Sequence, residues 1–150
     1  MHDYNDIESL EKTKLEQLIG KTLKKVYVHI VDPDFNIVFL EFQDCILEFS
    51  GLIGSEMIGL RHTENDRLEE LKETQIIKDF EPFDIFLGKE IISVARIGEA
   101  WNGHGVEICF KGVYDKTMII QSIYSGDKPE EFEDCIRLGI GNYFYSFEQI

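Results

Sequence analysis

Leu18-Ile19-Gly20-Lys21-Thr22-Leu23-Lys24-Lys25-Val26 and Phe86-Leu87-Gly88-Lys89-Glu90-Ile91-Ile92-Ser93-Val94 share one order of apolar, glycine and lysine positions, sixty-eight residues apart. Without a gap, the same offset sets Val38, Leu40 and Phe42 on Val106, Ile108 and Phe110. Five of the twenty-five aligned positions, from Leu18 to Phe42 against Phe86 to Phe110, are identical: Gly20/Gly88, Lys21/Lys89, Val26/Val94, Val38/Val106 and Phe42/Phe110. Leu23/Ile91 and Leu40/Ile108 keep apolar character where strand periodicity demands it. A unit this short must bury its apolar face against its copy or a neighbour, so the pattern predicts one domain over residues 1–150 with pseudo-repeat units at about 18–50 and 86–123.

Within the first unit, Val26, Val28 and Ile30 alternate with Tyr27 and His29, giving a strand over Thr22–Val31. Asp32-Pro33-Asp34-Phe35-Asn36 reads as a turn, Val38, Leu40 and Phe42 mark a second strand, and Ile46–Ser50 a third. The second unit offers strands at Glu90–Ile97, Val106–Phe110 and Thr117–Ile123, with a longer turn over Gly112-Val113-Tyr114-Asp115-Lys116. Helices are expected over Ile7–Ile19, ending at Gly20, and over Thr63–Thr74 with its acids toward the start, while Gly51–Leu60 is ambiguous. Pro82 breaks the chain before the second unit, and Asp127-Lys128-Pro129-Glu130 opens a further helix that puts Phe132, Cys135 and Ile136 on one face and stops at Gly139. Tyr143–Phe147 closes the chain as a strand or packed tail. The expected class is α+β: two pseudo-repeated antiparallel three-stranded meanders forming a curved sheet, sandwich or open barrel, with two or three short helices.

Trp101-Asn102-Gly103-His104 carries the Asn-Gly pair of a tight hairpin turn. A two-residue turn would pair Trp101 with His104, Glu99 with Val106, Ile97 with Ile108 and Ala95 with Phe110, whereas the repeat puts Val94 on the face of Val106. A β-bulge at Gly98 would reconcile the two registers. The single tryptophan beside this tip makes Trp101, Asn102 and His104 candidates for a partner or ligand contact; the competing reading is a cross-strand pair covering the end of the core.

Other motifs lead to no specific chemistry. Asp32-x-Asp34-x-Asn36 begins like a calcium loop, but Ile37 stands where glycine is needed and Gln43 where the bidentate glutamate belongs. His29 is expected to face solvent opposite Val28 and Ile30, with no second histidine at ligand spacing, so no metal and no cofactor are predicted. Cys109 is the thiol nearest His104 in sequence, but alternation turns it away from the face of Ile108 and Phe110. Neither a hydrolase elbow nor a phosphate-binding loop is present, no catalytic residues are nominated, and the balance leans away from an enzyme.

The formal charge of −14 is the one strong compositional deviation; it disfavours nucleic acid and anionic membranes and favours a basic protein partner. The carboxylates that would face such a partner are Glu64, Asp66, Glu69, Glu70 and Glu73 in the middle helix and Glu130, Glu131 and Asp134 near the end; the plainer reading is a solvated face. Three cysteines without a C-x-x-C pair, an N-terminus lacking a basic and apolar leader, and no run near ~20 apolar residues point to a soluble cytoplasmic protein. In size and acidity the chain resembles bacterial immunity proteins, which neutralise toxins by binding them; the resemblance is one of composition, and no motif or residue is carried over. The functional expectation is a non-enzymatic protein-binding module, with a small-molecule pocket near the second hairpin and a small enzyme without a recognisable motif as the alternatives. Self-association through uncovered sheet edges also fits the pattern.

Overall fold

The computed structural model describes residues 8–9, 15–31, 34–51, 58–98, 105–122 and 136–145. Antiparallel sheet dominates them: β1 Glu8–Ser9, β2 Leu23–Val31, β3 Asp34–Phe42, β4 Ile46–Gly51, β5 Ile58–Thr63, β6 Ile77–Asp79, β7 Ile91–Ile97, β8 Gly105–Phe110, β9 Val113–Ser122, β10 Ile136–Ile140 and β11 Tyr143–Tyr145. Helix α1 spans Asn65–Thr74, and a 3-10 helix covers Glu81–Phe86 with Pro82 in its opening turn, where a missing N–H costs nothing.

One meander runs β2-β3-β4-β5, flanked by β6 beside β2 and β1 beside β5; the other runs β7-β8-β9-β10, flanked by β11 beside β10. Among the described residues their strands pair at two places, Ile136 of β10 with Phe35 of β3, and Thr22 with Glu90 in an isolated bridge. Around that bridge the Gly20 N–H donates to the Ile91 carbonyl at 2.8 Å and the Ile91 N–H to Lys21 at 2.9 Å; reciprocally, the Gly88 N–H donates to Leu23 at 2.7 Å and the Leu23 N–H to Lys89 at 3.0 Å. Both glycines have positive φ, +94° for Gly20 and +78° for Gly88, which a side chain would resist.

The two opening hairpins have matching registers. Leu23 pairs with Phe42, a bulge follows, then Lys25 pairs with Glu41, Val26 with Leu40 and Val28 with Val38. Ile91 pairs with Phe110, a bulge follows, then Ser93 pairs with Cys109, Val94 with Ile108 and Arg96 with Val106. Alternation sends the apolar members of both sets to one core, where Val26, Val28, Leu40, Phe42 and Phe49 meet Ile91, Val106, Ile108, Phe110, Met118 and Ile120. Phe80, Phe83 and Phe86 enter the same core from the 3-10 helix and its approach, with Phe86 stacked on Phe110 at 4.7 Å between centroids.

Several expectations are corrected. Val94 lies on the face of Val106, and Ala95 pairs with Glu107 and Ile97 with Gly105 in place of the expected Phe110 and Ile108; the expected turn at Asn102-Gly103 and the pairs made by Glu99 and Trp101 lie outside the described residues. β7 carries a bulge between Ile91 and Ser93; Gly98, where a bulge was expected, has φ +102° and follows the last described pair, Ile97 with Gly105, so the pairing that would show a bulge there lies outside the described residues. Glu8–Ser9 pair with β5 instead of opening a helix, and Ile136–Ile140 form β10, where the neighbouring β9 supplies the hydrogen bonds that a helix would have made internally. Thr63 closes β5, so α1 starts two residues later. β5 itself fills part of the ambiguous Gly51–Leu60 region. β3 starts at Asp34, inside the expected Asp32–Asn36 turn, and β9 starts at Val113, so the extra residues of the second unit form an irregularity in β9 after a tight turn at Lys111–Gly112.

Candidate binding surface

The outer face of β2, β3 and β4 carries Tyr27, Phe39 and Ile46, an apolar strip that water would otherwise cover. Leu68 of α1, 2% exposed, lies on it, with Leu71 and Ile77 packed alongside. A ten-residue helix is too short to persist alone in water, so this burial is the reason α1 forms. Its solvent side then holds Asp66, Glu69, Glu70 and Glu73, all exposed; Glu64, also exposed, precedes the helix with extended backbone. Asp66 lies in the first turn, where the helix dipole favours a negative charge.

A buried carboxylate holds the helix in register. Glu48 of β4 is only 2% exposed and accepts three contacts: Thr63 Oγ1 at 2.7 Å and Arg67 Nε at 3.1 Å on Oε1, and Arg67 Nη2 at 3.4 Å on Oε2. Arg67 projects from α1, so its forked guanidinium fixes both the rotation and the position of the acidic side. At the other end His29, 8% exposed, lies 3.3 Å from Gln75 Oε1 and pairs with Ile77 of β6. The expectation of a solvent-facing His29 is therefore wrong: alternation did turn it away from Val28 and Ile30, but β6 and the end of α1 cover that face. Lys72 folds back over the Tyr27 ring at 4.4 Å and pairs with Glu69 at 3.5 Å. Burial and the nearby Glu41, Asp79 and Glu69 charges push the Tyr27 phenol up.

Glu64 also borders a cleft of about 520 Å³ at the turn between β3 and β4, lined by Lys24, Glu41, Asp44, Cys45, His62 and Glu64 among others. Lys21 Nζ bonds Asp44 Oδ2 at 2.9 Å beside it, which raises the lysine above its ordinary value and lowers the aspartate. Burial pushes the Cys45 thiol up despite Lys21 nearby, the opposite of what a nucleophilic thiolate needs. A thiol, a histidine and carboxylates thus share one cleft, a grouping that no sequence motif announced because its members come from separate strands. Among the described residues no group of three or more His, Cys, Asp or Glu could hold a metal ion.

Trp101, Asn102 and His104, with Glu130, Glu131 and Asp134, lie outside the described residues, as does Cys135. Cys45 and Cys109 are free thiols. Among the described residues no helix is long and apolar enough to cross a membrane. Comparison with protein-family models, curated proteins and solved structures gives no significant match.

Proposed function

We propose that this chain is a non-enzymatic binding module that presents the acidic side of α1 to a basic protein, in the manner of an immunity-type inhibitor. The observation that carries the reading is the contrast between the two sides of that helix. Asp66, Glu69, Glu70 and Glu73 share the exposed side of α1, with Glu64 exposed just before it, while Leu68 and the Arg67–Glu48 pair hold the other side against the sheet. Carboxylates on a fixed element steer a basic partner and lose less freedom on contact than the same charges on a mobile loop. The scaffold is, on this reading, two copies of one helical turn and four-stranded meander, facing each other across a shared core about a pseudo-two-fold through Thr22 and Glu90.

The two copies differ where this function would require it. Tyr27 and Phe39, which α1 covers, correspond in register to Ala95 and Glu107, so the aromatic pair on which α1 rests has no counterpart in the second hairpin. The reading is tested with a chain bearing E64Q, D66N, E69Q, E70Q and E73Q together. Its complex with a basic partner should weaken at least about tenfold and lose most of its salt dependence. Unchanged affinity would remove α1 from the interface.

The cleft at the β3–β4 turn supports a second reading, a small-molecule site, since its volume lies in the range of ligand pockets and polar groups converge on it. Its walls are more polar than such pockets usually are. Chemical-shift changes confined to Glu41, Asp44 and His62 in a screen of polar metabolites would favour it over α1.

A further inference from the structure

The first hairpin shows what its outer edge accepts. β6 lies antiparallel along β2, pairing Asp79 with Tyr27, Lys78 with Val28 and Ile77 with His29. The Phe80 N–H donates to the Val26 carbonyl and the Ile30 N–H to the Ile76 carbonyl, each at 3.0 Å. Val26, Val28 and Ile30 therefore turn their peptide groups toward β6. In the matching register of the second hairpin, the same direction is taken by Val94 and Arg96, yet no described strand pairs with β7 on that side beyond the bridge at Glu90. Arg96 occupies the place of Val28, on the face of the buried Val106, but it is exposed and makes no ion pair with a described residue.

An inward-facing charge at a sheet edge repels indiscriminate strand pairing, because an incoming apolar strand would bury that charge without a partner. The bulge beside Ile92 adds to this by twisting the edge. An incoming segment that carries a carboxylate opposite Arg96 meets no such penalty. We propose that the outer edge of β7, over Val94–Ile97, docks an extended segment of a partner protein as an added antiparallel strand, selected by an acidic residue that pairs with Arg96. Backbone bonds supply the attraction and the guanidinium supplies the choice. The inference rests on the matching of the two hairpins and not on the acidic side of α1, so either can fail alone.

Two peptides copying residues 75–81 of this chain, one natural and one with Lys78→Glu, serve as probes against the isotope-labelled full chain. In the free protein the Arg96 amide should exchange rapidly with solvent while that of Val28 is protected. The Lys78→Glu peptide should shift and protect the amides of Val94 and Arg96, binding about tenfold more tightly than the natural peptide. In an Arg96→Glu protein that preference should reverse, with the lysine peptide favoured. An Arg96 amide already protected in the free chain would overturn the proposal. So would an absence of shifts over Val94–Ile97 at millimolar peptide, or equal responses to the two peptides in both proteins.

Discussion

Glu48→Ala removes the acceptor on which the seat of α1 depends, and the structure sets the size of the effect. The substitution strands the Thr63 hydroxyl, in a residue 7% exposed, and the Arg67 guanidinium, whose side chain is 30% exposed. Hydrogen bonds to a charged acceptor contribute about 1.5–3 kcal/mol each when buried, but the exposed part of Arg67 recovers water and its share must be discounted. The expected loss is therefore about 2–3 kcal/mol, and a chain of this length should melt roughly 5–10 °C lower. Glu48→Gln keeps one acceptor oxygen for Thr63 Oγ1 and Arg67 Nε but turns an amide N–H2 toward Arg67 Nη2 and loses the charge, for at least about 1 kcal/mol. Urea unfolding of Glu48→Ala, Arg67→Ala and the double variant isolates the pair, with an expected coupling of about 1 kcal/mol. Hydrogen exchange adds a spatial readout, since the amides of α1 should lose protection before those of β8 and β9. A Glu48→Ala protein within about 0.5 kcal/mol of the parent, or additive single and double variants, would refute the idea that this carboxylate clamps the helix.

The remaining expectations concern packing and charge. Leu68→Ala should cost about 2–4 kcal/mol by emptying the space between α1 and the Tyr27–Phe39–Ile46 strip, seen as a lower urea midpoint with an unchanged slope. Gly105→Ala should cost about 3 kcal/mol or more, because its new Cβ would lie 2.2 Å from the Ile120 carbonyl oxygen and 2.6 Å from the Gln121 Cα; soluble yield and thermal melting report it. Asp44, held low by Lys21, should titrate below an ordinary aspartate in a carbon-detected pH series, and Lys21→Ala should bring it back. Since the folded value is the lower one, the stabilisation from this pair is present above the unfolded value near ~4 and disappears as the pH falls through the folded value.

Strands whose apolar residues alternate were legible from their own sequence, and the pairing of Val94 with Ile108 and Arg96 with Val106 keeps Val94 on the face that the sequence alignment with the first hairpin expected. What defeated local reading was cover supplied from afar. His29 looked solvent-facing because its lid, Ile77 and Gln75, comes from a segment about fifty residues later. Ile58-Gly59-Leu60-Arg61-His62-Thr63 lacks a clean alternation, and only the neighbouring β4 makes it a strand. Ile136-Arg137-Leu138-Gly139-Ile140 alternates well, but the capping pattern before it outweighed that signal. Gly139, expected to end a helix, instead sits where a Cβ would meet the Tyr143 carbonyl oxygen at 2.6 Å in the closing hairpin. The carboxylates of α1 were visible as a cluster; their anchor was not, because Glu48 and Arg67 are nineteen residues apart and belong to different elements.

The central claim, that α1 presents its carboxylates to a basic protein, is tested most directly by titrating the purified chain with basic proteins encoded beside its own gene, in low and in high salt. The account predicts a saturable complex at low salt that weakens at least about tenfold as salt rises, and that weakens comparably when Glu64 and the four carboxylates of α1 are neutralised. A complex indifferent to both changes, or no complex with any such protein at low salt, would contradict it.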